Sequence, residues 1–207
     1  MHMQSLEHRR MLSASVLTAT QDATGAVNIV GTSGADQITV NEGFNSVQVV
    51  DSATSTVVAN FDNVSSISID GSAGDDLIAY FGNDMGASIN GGDGNDQIVV
   101  YDLGAGASTI LGGNGDDNIG IVVPSSGGTS VIDAGNGKDV ITVNGGQTFD
   151  DNGNPIVGSV LINGGNGNDT IFAFNTDATI TGGNGTDTVF IVGGDSTATG
   201  AETVTYV

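Results

Sequence analysis

One short segment recurs seven times in this chain, and that recurrence limits the fold more than any other feature. The copies are GTSGADQIT from Gly31, GSAGDDLIA from Gly71, GGDGNDQIV from Gly91, GGNGDDNIG from Gly112, AGNGKDVIT from Ala134, GGNGNDTIF from Gly164 and GGNGTDTVF from Gly182. In each, the fourth residue is Gly, the sixth Asp and the eighth Ile or Val. The sixth-position residues are Asp36, Asp76, Asp96, Asp117, Asp139, Asp169 and Asp187, spaced 40, 20, 21, 22, 30 and 18 residues apart. Self-similarity at a period near twenty is the mark of a solenoid, whose repeats bury an apolar face only by stacking on one another.

The flanks repeat as well. Two residues before each segment stands an isoleucine: Ile29, Ile69, Ile89, Ile110, Ile132, Ile162 and Ile180. Two residues after the Asp come Ile38, Ile78, Ile98, Ile119, Ile141, Ile171 and Val189. Apolar alternation on both sides of a Gly-rich corner describes two short strands joined by a tight turn. An antiparallel meander with Asn-Gly turns is the alternative. A meander, however, needs no corner of fixed length with Asp always sixth, whereas coiling sets like residues on like residues. The expected fold is therefore all-β: a right-handed parallel β-solenoid, or β-roll, of about 20 residues per turn.

Two departures from the period refine this. The long interval from Asp36 to Asp76 contains SVQVVDSATSTVVANF, which reads as a β-hairpin capping the first coil, because an exposed strand edge pairs with other chains unless covered. Between Asp139 and Asp169 an inserted loop is expected near 145–158, turning at Asn152-Gly153 and carrying Phe149, Asp150 and Asp151. The expected organisation is a disordered tail or export segment over 1–26, an N-terminal cap over 27–70, and the repeat body over 71–207.

Charge narrows the function. The net charge is −21, and of the 24 acidic residues only Glu7, Glu42 and Glu202 are not Asp. Asp favours turns and holds its carboxylate close to its own loop, so the excess points to carboxylates built into the corners and to a cation as partner. Nucleic acid is excluded as a partner, since Arg9, Arg10 and Lys138 are the only basic residues and cannot form a phosphate-binding face. With no Cys there is neither a disulfide framework nor a thiolate metal site. No apolar run approaches the ~18–20 residues that span a bilayer. The two His, His2 and His8, lie near the N-terminus, so His-dependent nucleophile chemistry lacks its base in the repeat body. The chain is expected not to be an enzyme.

The repeat has the form GGxGxDxUx, with U a bulky aliphatic. Residues 91–99, 112–120, 164–172 and 182–190 match it in full, while Ala134, Ser72 and Thr32 each replace one Gly in the other copies. This resembles the hemolysin-type (RTX, repeats-in-toxin) calcium-binding repeat, over roughly residues 31–191. The resemblance implies Ca2+ held between neighbouring turns by loop carbonyls and by the sixth-position Asp of each. The metal residues would be Asp36, Asp76, Asp96, Asp117, Asp139, Asp169 and Asp187, paired in sequence. In the commonest form of the family the motifs run in tandem. Here each alternates with a variable stretch such as VPSSGGTS, so one calcium-lined edge and one metal-free edge are expected.

Strands stack about 4.8 Å apart. Carboxylates at that spacing repel by roughly 3–4 kcal/mol at an effective dielectric of 20, so folding is expected to require the cation. The resemblance also implies a secreted or cell-surface location, where calcium is plentiful, and a structural role. An adhesion or glycan-binding module, and a calcium-dependent polysaccharide-acting enzyme, are the alternatives. Self-association through the solenoid ends is a further expected possibility. Residues 6–14, LEHRRMLSA, resemble the LExRxLLSA-type motif that opens exported planctomycete proteins, with Met11 in place of the first Leu of the pair.

Overall fold

Alternating apolar residues on either side of each corner yield short strands whose inward side chains are the isoleucines and valines of the repeat. A computed structural model describes residues 16–82, 85–102, 106–123, 128–145, 148–149, 155–156 and 159–207. The first strands are β1 (Thr18–Gln21), β2 (Ala26–Val30), β3 (Gln37–Gly43), β4 (Ser46–Asp51), β5 (Thr56–Asp62), β6 (Ser66–Asp70) and β7 (Leu77–Gly82). The middle holds β8 (Ser88–Asp93), β9 (Gln97–Asp102), β10 (Thr109–Asn114), β11 (Asn118–Val123), β12 (Ser130–Asn136), β13 (Val140–Gly145), β14 (Thr148–Phe149) and β15 (Pro155–Ile156). β16 (Ser159–Asn166), β17 (Thr170–Phe174), β18 (Asp177–Asn184), β19 (Thr188–Val192), β20 (Thr197–Thr199) and β21 (Thr203–Tyr206) follow.

The strands before the corners form one nine-stranded sheet, β1-β2-β6-β8-β10-β12-β16-β18-β20, and those after them one ten-stranded sheet, β21-β19-β17-β13-β11-β9-β7-β3-β4-β5. From β2 and β3 onward, successive turns pair in parallel. This is the parallel β-solenoid, and the parallel ladders exclude a meander.

Register carries out the stacking that the repeat implies. Ile29, Ile69, Ile89, Ile110, Ile132, Ile162 and Ile180 are successive Cα partners in one sheet. Ile38, Ile78, Ile98, Ile119, Ile141, Ile171 and Val189 do the same in the other. All of them are buried, and together they are the spine of a single apolar core. Each isoleucine so buried stabilises the fold by about 1.5–3 kcal/mol relative to exposure.

The two ends differ. At the N-terminal end β4 lies antiparallel on β3 and β5 on β4, so the hairpin extends the ten-stranded sheet past its first parallel strand. β1 lies antiparallel on β2 and covers the corresponding edge of the nine-stranded sheet. Within the stretch 1–26 assigned to the tail, Thr18–Gln21 forms a strand on the free edge of β2. Residues 6–14 lie outside the described residues. Both sheets run without a break through the 70/71 boundary between cap and body. Within the inserted loop, β14 and β15 pair antiparallel, while Asp150, Asp151 and the Asn152-Gly153 turn lie outside the described residues. Beyond the last full repeat the chain makes one more turn, with β20 on β18 and β21 on β19, which the repeat pattern alone does not show.

Candidate metal centre

Each motif forms the corner between the two sheets, and its glycines are fixed by backbone crowding. Gly113 and Gly115, second and fourth in their loop, take φ of 117° and 125°, a region that L side chains avoid. A Cβ on Gly113 would stand 2.0 Å from the carbonyl oxygen of Gly92, and one on Gly115 2.0 Å from that of Gly94. The loops therefore lie directly on one another, with no room for side chains between them.

Stacking produces three polar ladders. At the third position, side-chain amides link Asn114 to Asp93, Asn136 to Asn114, Asn166 to Asn136 and Asn184 to Asn166 at 2.7–2.8 Å, on the exposed rim. At the fifth, Asp75, Asn95, Asp116 and Asn168 each accept the backbone N–H one turn on. The sixth position is the buried one. The N–H groups of Asp36, Asp76, Asp96, Asp117, Asp139 and Asp169 donate to Oδ1 of the Asp in the following turn, at 2.7–2.9 Å. The structure therefore brings all seven sequence-identified residues into one column, and the Asp36 loop stacks on the Asp76 loop in spite of the hairpin between them.

The second carboxylate oxygen separates the members of that column. Oδ2 of Asp76, Asp96, Asp117, Asp139, Asp169 and Asp187 is buried and has no hydrogen-bond partner. These six residues are at most 2% exposed. Five of these oxygens, all but that of Asp139, turn toward the glycine that opens their own loop. A Cβ on Gly91 would lie 2.3 Å from Asp96 Oδ2 and 2.5 Å from the Gly112 carbonyl oxygen of the next turn. Gly71, Gly112, Gly164 and Gly182 show the same pair of contacts, so carboxylate and carbonyl oxygens crowd one spot in turn after turn. At the first position of the remaining loop the residue is Ala134.

A Cβ on Gly31 would meet the same pair, Asp36 Oδ2 and the Gly71 carbonyl oxygen, yet Asp36 departs from the others in its exposure and its hydrogen bond. It is only half-buried, and its Oδ2 accepts the N–H of Thr32 at 2.6 Å. Its loop has Thr where the others have Gly or Ser, and neither Thr32 nor Gly34 adopts the left-handed backbone of the later loops. The opposite corner of the coil is built on hydroxyls: Ser108 Oγ accepts the N–H of Ala87, Ser130 Oγ that of Ser108, and Ser196 Oγ that of Ala178.

Electrostatics follow from burial. The Asp117 carboxyl is pushed up to about 7, and those of Asp76 and Asp139 to about 6, chiefly by burial, with neighbouring carboxylates adding less. Asp96 and Asp169 are raised for the same leading reason. The repulsion expected between stacked carboxylates is thus the smaller part of the penalty. Desolvation is the larger.

A hard cation fits this column. Calcium takes six to eight oxygen ligands, carboxylate and carbonyl alike, and the corner offers unpaired carboxylate oxygens beside inward carbonyls. Among the described residues no three His, Asp or Glu side chains gather at one point, so carbonyls must complete each site. The one basic side chain among them, Lys138, is exposed and cannot neutralise a buried column.

The comparisons agree with this chemistry. No curated protein and no solved structure matches the chain. The family model of the RTX calcium-binding nonapeptide repeat matches in four copies, over residues 100–119, 125–149 and 161–189, which contain Asp117, Asp139, Asp169 and Asp187. The chain carries RTX calcium-binding nonapeptide repeats, stacked as a parallel β-solenoid, and such repeats bind Ca2+.

Proposed function

We propose that this chain is an extracellular or cell-surface structural module whose folding is coupled to calcium. The observation that carries the reading is the column of six buried, partnerless carboxylate oxygens. Leaving a buried charged acceptor unsatisfied costs at least about 1–3 kcal/mol, and six such costs rival the whole stability of a small domain. A cation between turns removes the penalty and links each turn to the next. Extracellular modules bind calcium at about 10⁻⁴–10⁻³ M, so the chain would be only weakly stable in cytosol and gain most of its stability once exported. The ligands in this reading are Asp76, Asp96, Asp117, Asp139, Asp169 and Asp187, with Asp36 as a self-satisfied first rung. No catalytic role is assigned, because the described residues contain neither His nor Cys and the buried carboxylates are engaged in the column.

Thermal unfolding tests this. Calcium at about 10 mM is expected to raise the Tm by about 20 °C or more over the chelated protein, since each bound ion adds RT ln(1 + [L]/Kd). Equal melting with and without calcium would contradict the reading.

A further inference from the structure

We infer that Glu202 is a calcium ligand, and that it completes with Asp187 a last site outside every copy of the repeat. The inference rests on the calcium reading above and extends it to a turn that carries no motif: Glu202 lies beyond the matched residues 161–189.

The backbone N–H of Asp187 donates to Glu202 Oε2 at 2.5 Å, as that of Asp169 donates to Asp187 Oδ1 at 2.9 Å. Thr203 N–H reaches the carbonyl of Asp187 as Thr188 N–H reaches that of Asp169. Val204 stacks on Val189 and Ala198 on Ile180, so Glu202 stands in the sixth-position column. The corner also keeps its crowding. A Cβ on Gly182 would lie 2.4 Å from the Gly200 carbonyl oxygen and 2.7 Å from Asp187 Oδ2, nearly the values that Gly164 shows toward Gly182 and Asp169.

The independent sign of a ligand is Asp187 itself. It is 0% exposed, and its Oδ2, turned into this last interval, has no partner. The sequence separation explains the change of residue. Asp187 and Glu202 are 15 residues apart, against 18 for the preceding pair, so the final corner is three residues shorter. The extra methylene of Glu lets a carboxylate reach the column from the tighter turn. Glu202 is exposed, so water can fill coordination positions there that carbonyls fill elsewhere. The six orphan oxygens then match six intervals running from Asp76/Asp96 to Asp187/Glu202. The Asp36/Asp76 interval is left out.

Calcium titration of the full chain and of Glu202→Gln tests the assignment. Gln keeps an acceptor for the Asp187 N–H and loses the charge, so the variant is expected to bind one ion fewer with an unchanged far-UV spectrum in saturating calcium. An unchanged number of ions and unchanged affinities would overturn it. If Asp117→Asn lost an ion while Glu202→Gln lost none, the array would stand and Glu202 alone would be removed from it. Absence of any calcium binding by the unsubstituted chain would instead remove the underlying reading. Should the variant fail to fold, the unsubstituted chain labelled with ¹³C at its three Glu carboxyls decides: the Glu202 resonance is expected to shift with calcium, and a resonance that stays still through saturation overturns the assignment.

Discussion

Asp117→Asn is expected to change sign with calcium: more stable than the parent at pH 8 in chelator, and less stable in saturating calcium. The amide keeps the Oδ1 that accepts the N–H of Asp96. It also places an N–H₂ donor where Asp117 Oδ2 now crowds the carbonyl oxygen of Ala134 beside Gly112. Without metal, the substitution removes a buried charge and satisfies a carbonyl, a gain of about 1 kcal/mol or more. With metal, it removes an anionic ligand from the intervals on either side. At calcium a hundredfold above Kd, each ion lost costs about 2.7 kcal/mol. Chemical denaturation of both proteins in both conditions checks this. Destabilisation of the same size with and without calcium would mean that Asp117 is a turn-maker and nothing more.

The second large effect is on pH dependence. In the folded chain Asp76 and Asp139 are raised from 3.8 to about 6 and Asp117 to about 7. A folded state that holds protons more tightly than the unfolded one gains stability below the unfolded value and loses it as pH climbs through the folded values. The calcium-stripped protein is therefore expected to be most stable near pH 4 and to weaken steadily up to about pH 7–8. Calcium reverses the slope, because it binds the ionised carboxylate and competes with the proton. In saturating calcium, stability should rise over the same window. Melting temperatures across pH 4.5–8, with and without the ion, give the two slopes. Parallel slopes would separate the raised carboxyls from the metal.

Much of this was legible in the sequence, for a simple reason. A solenoid repeats its environment, so each constraint is written several times: Gly where loops touch, Asp at the buried corner, Ile in each ladder. What was not legible depends on single departures from the repeat. Asp36 occupies the motif position, yet Thr32 N–H takes its second oxygen, and only the backbone path of that loop shows it. Glu202 stands in the column without a motif around it, because a shorter corner and a longer side chain give the same reach. The sequence signal for Glu202 was faint: one acid two residues before Val204, as each motif Asp stands two before Ile or Val. Strand spacing pointed to repulsion as the main cost of the column. The depth of the corner, which spacing cannot give, makes burial the greater cost. β1 has no partner in the repeat pattern and became visible only as the strand that closes the edge of β2.

The central claim is that divalent ions join acidic corners turn by turn, and counting those ions tests it most directly. Isothermal titration of the calcium-stripped chain should give six ions, one for each partnerless Asp oxygen, with affinities near 10⁻⁴–10⁻³ M. No uptake at about 10 mM calcium, well above that range, would contradict it.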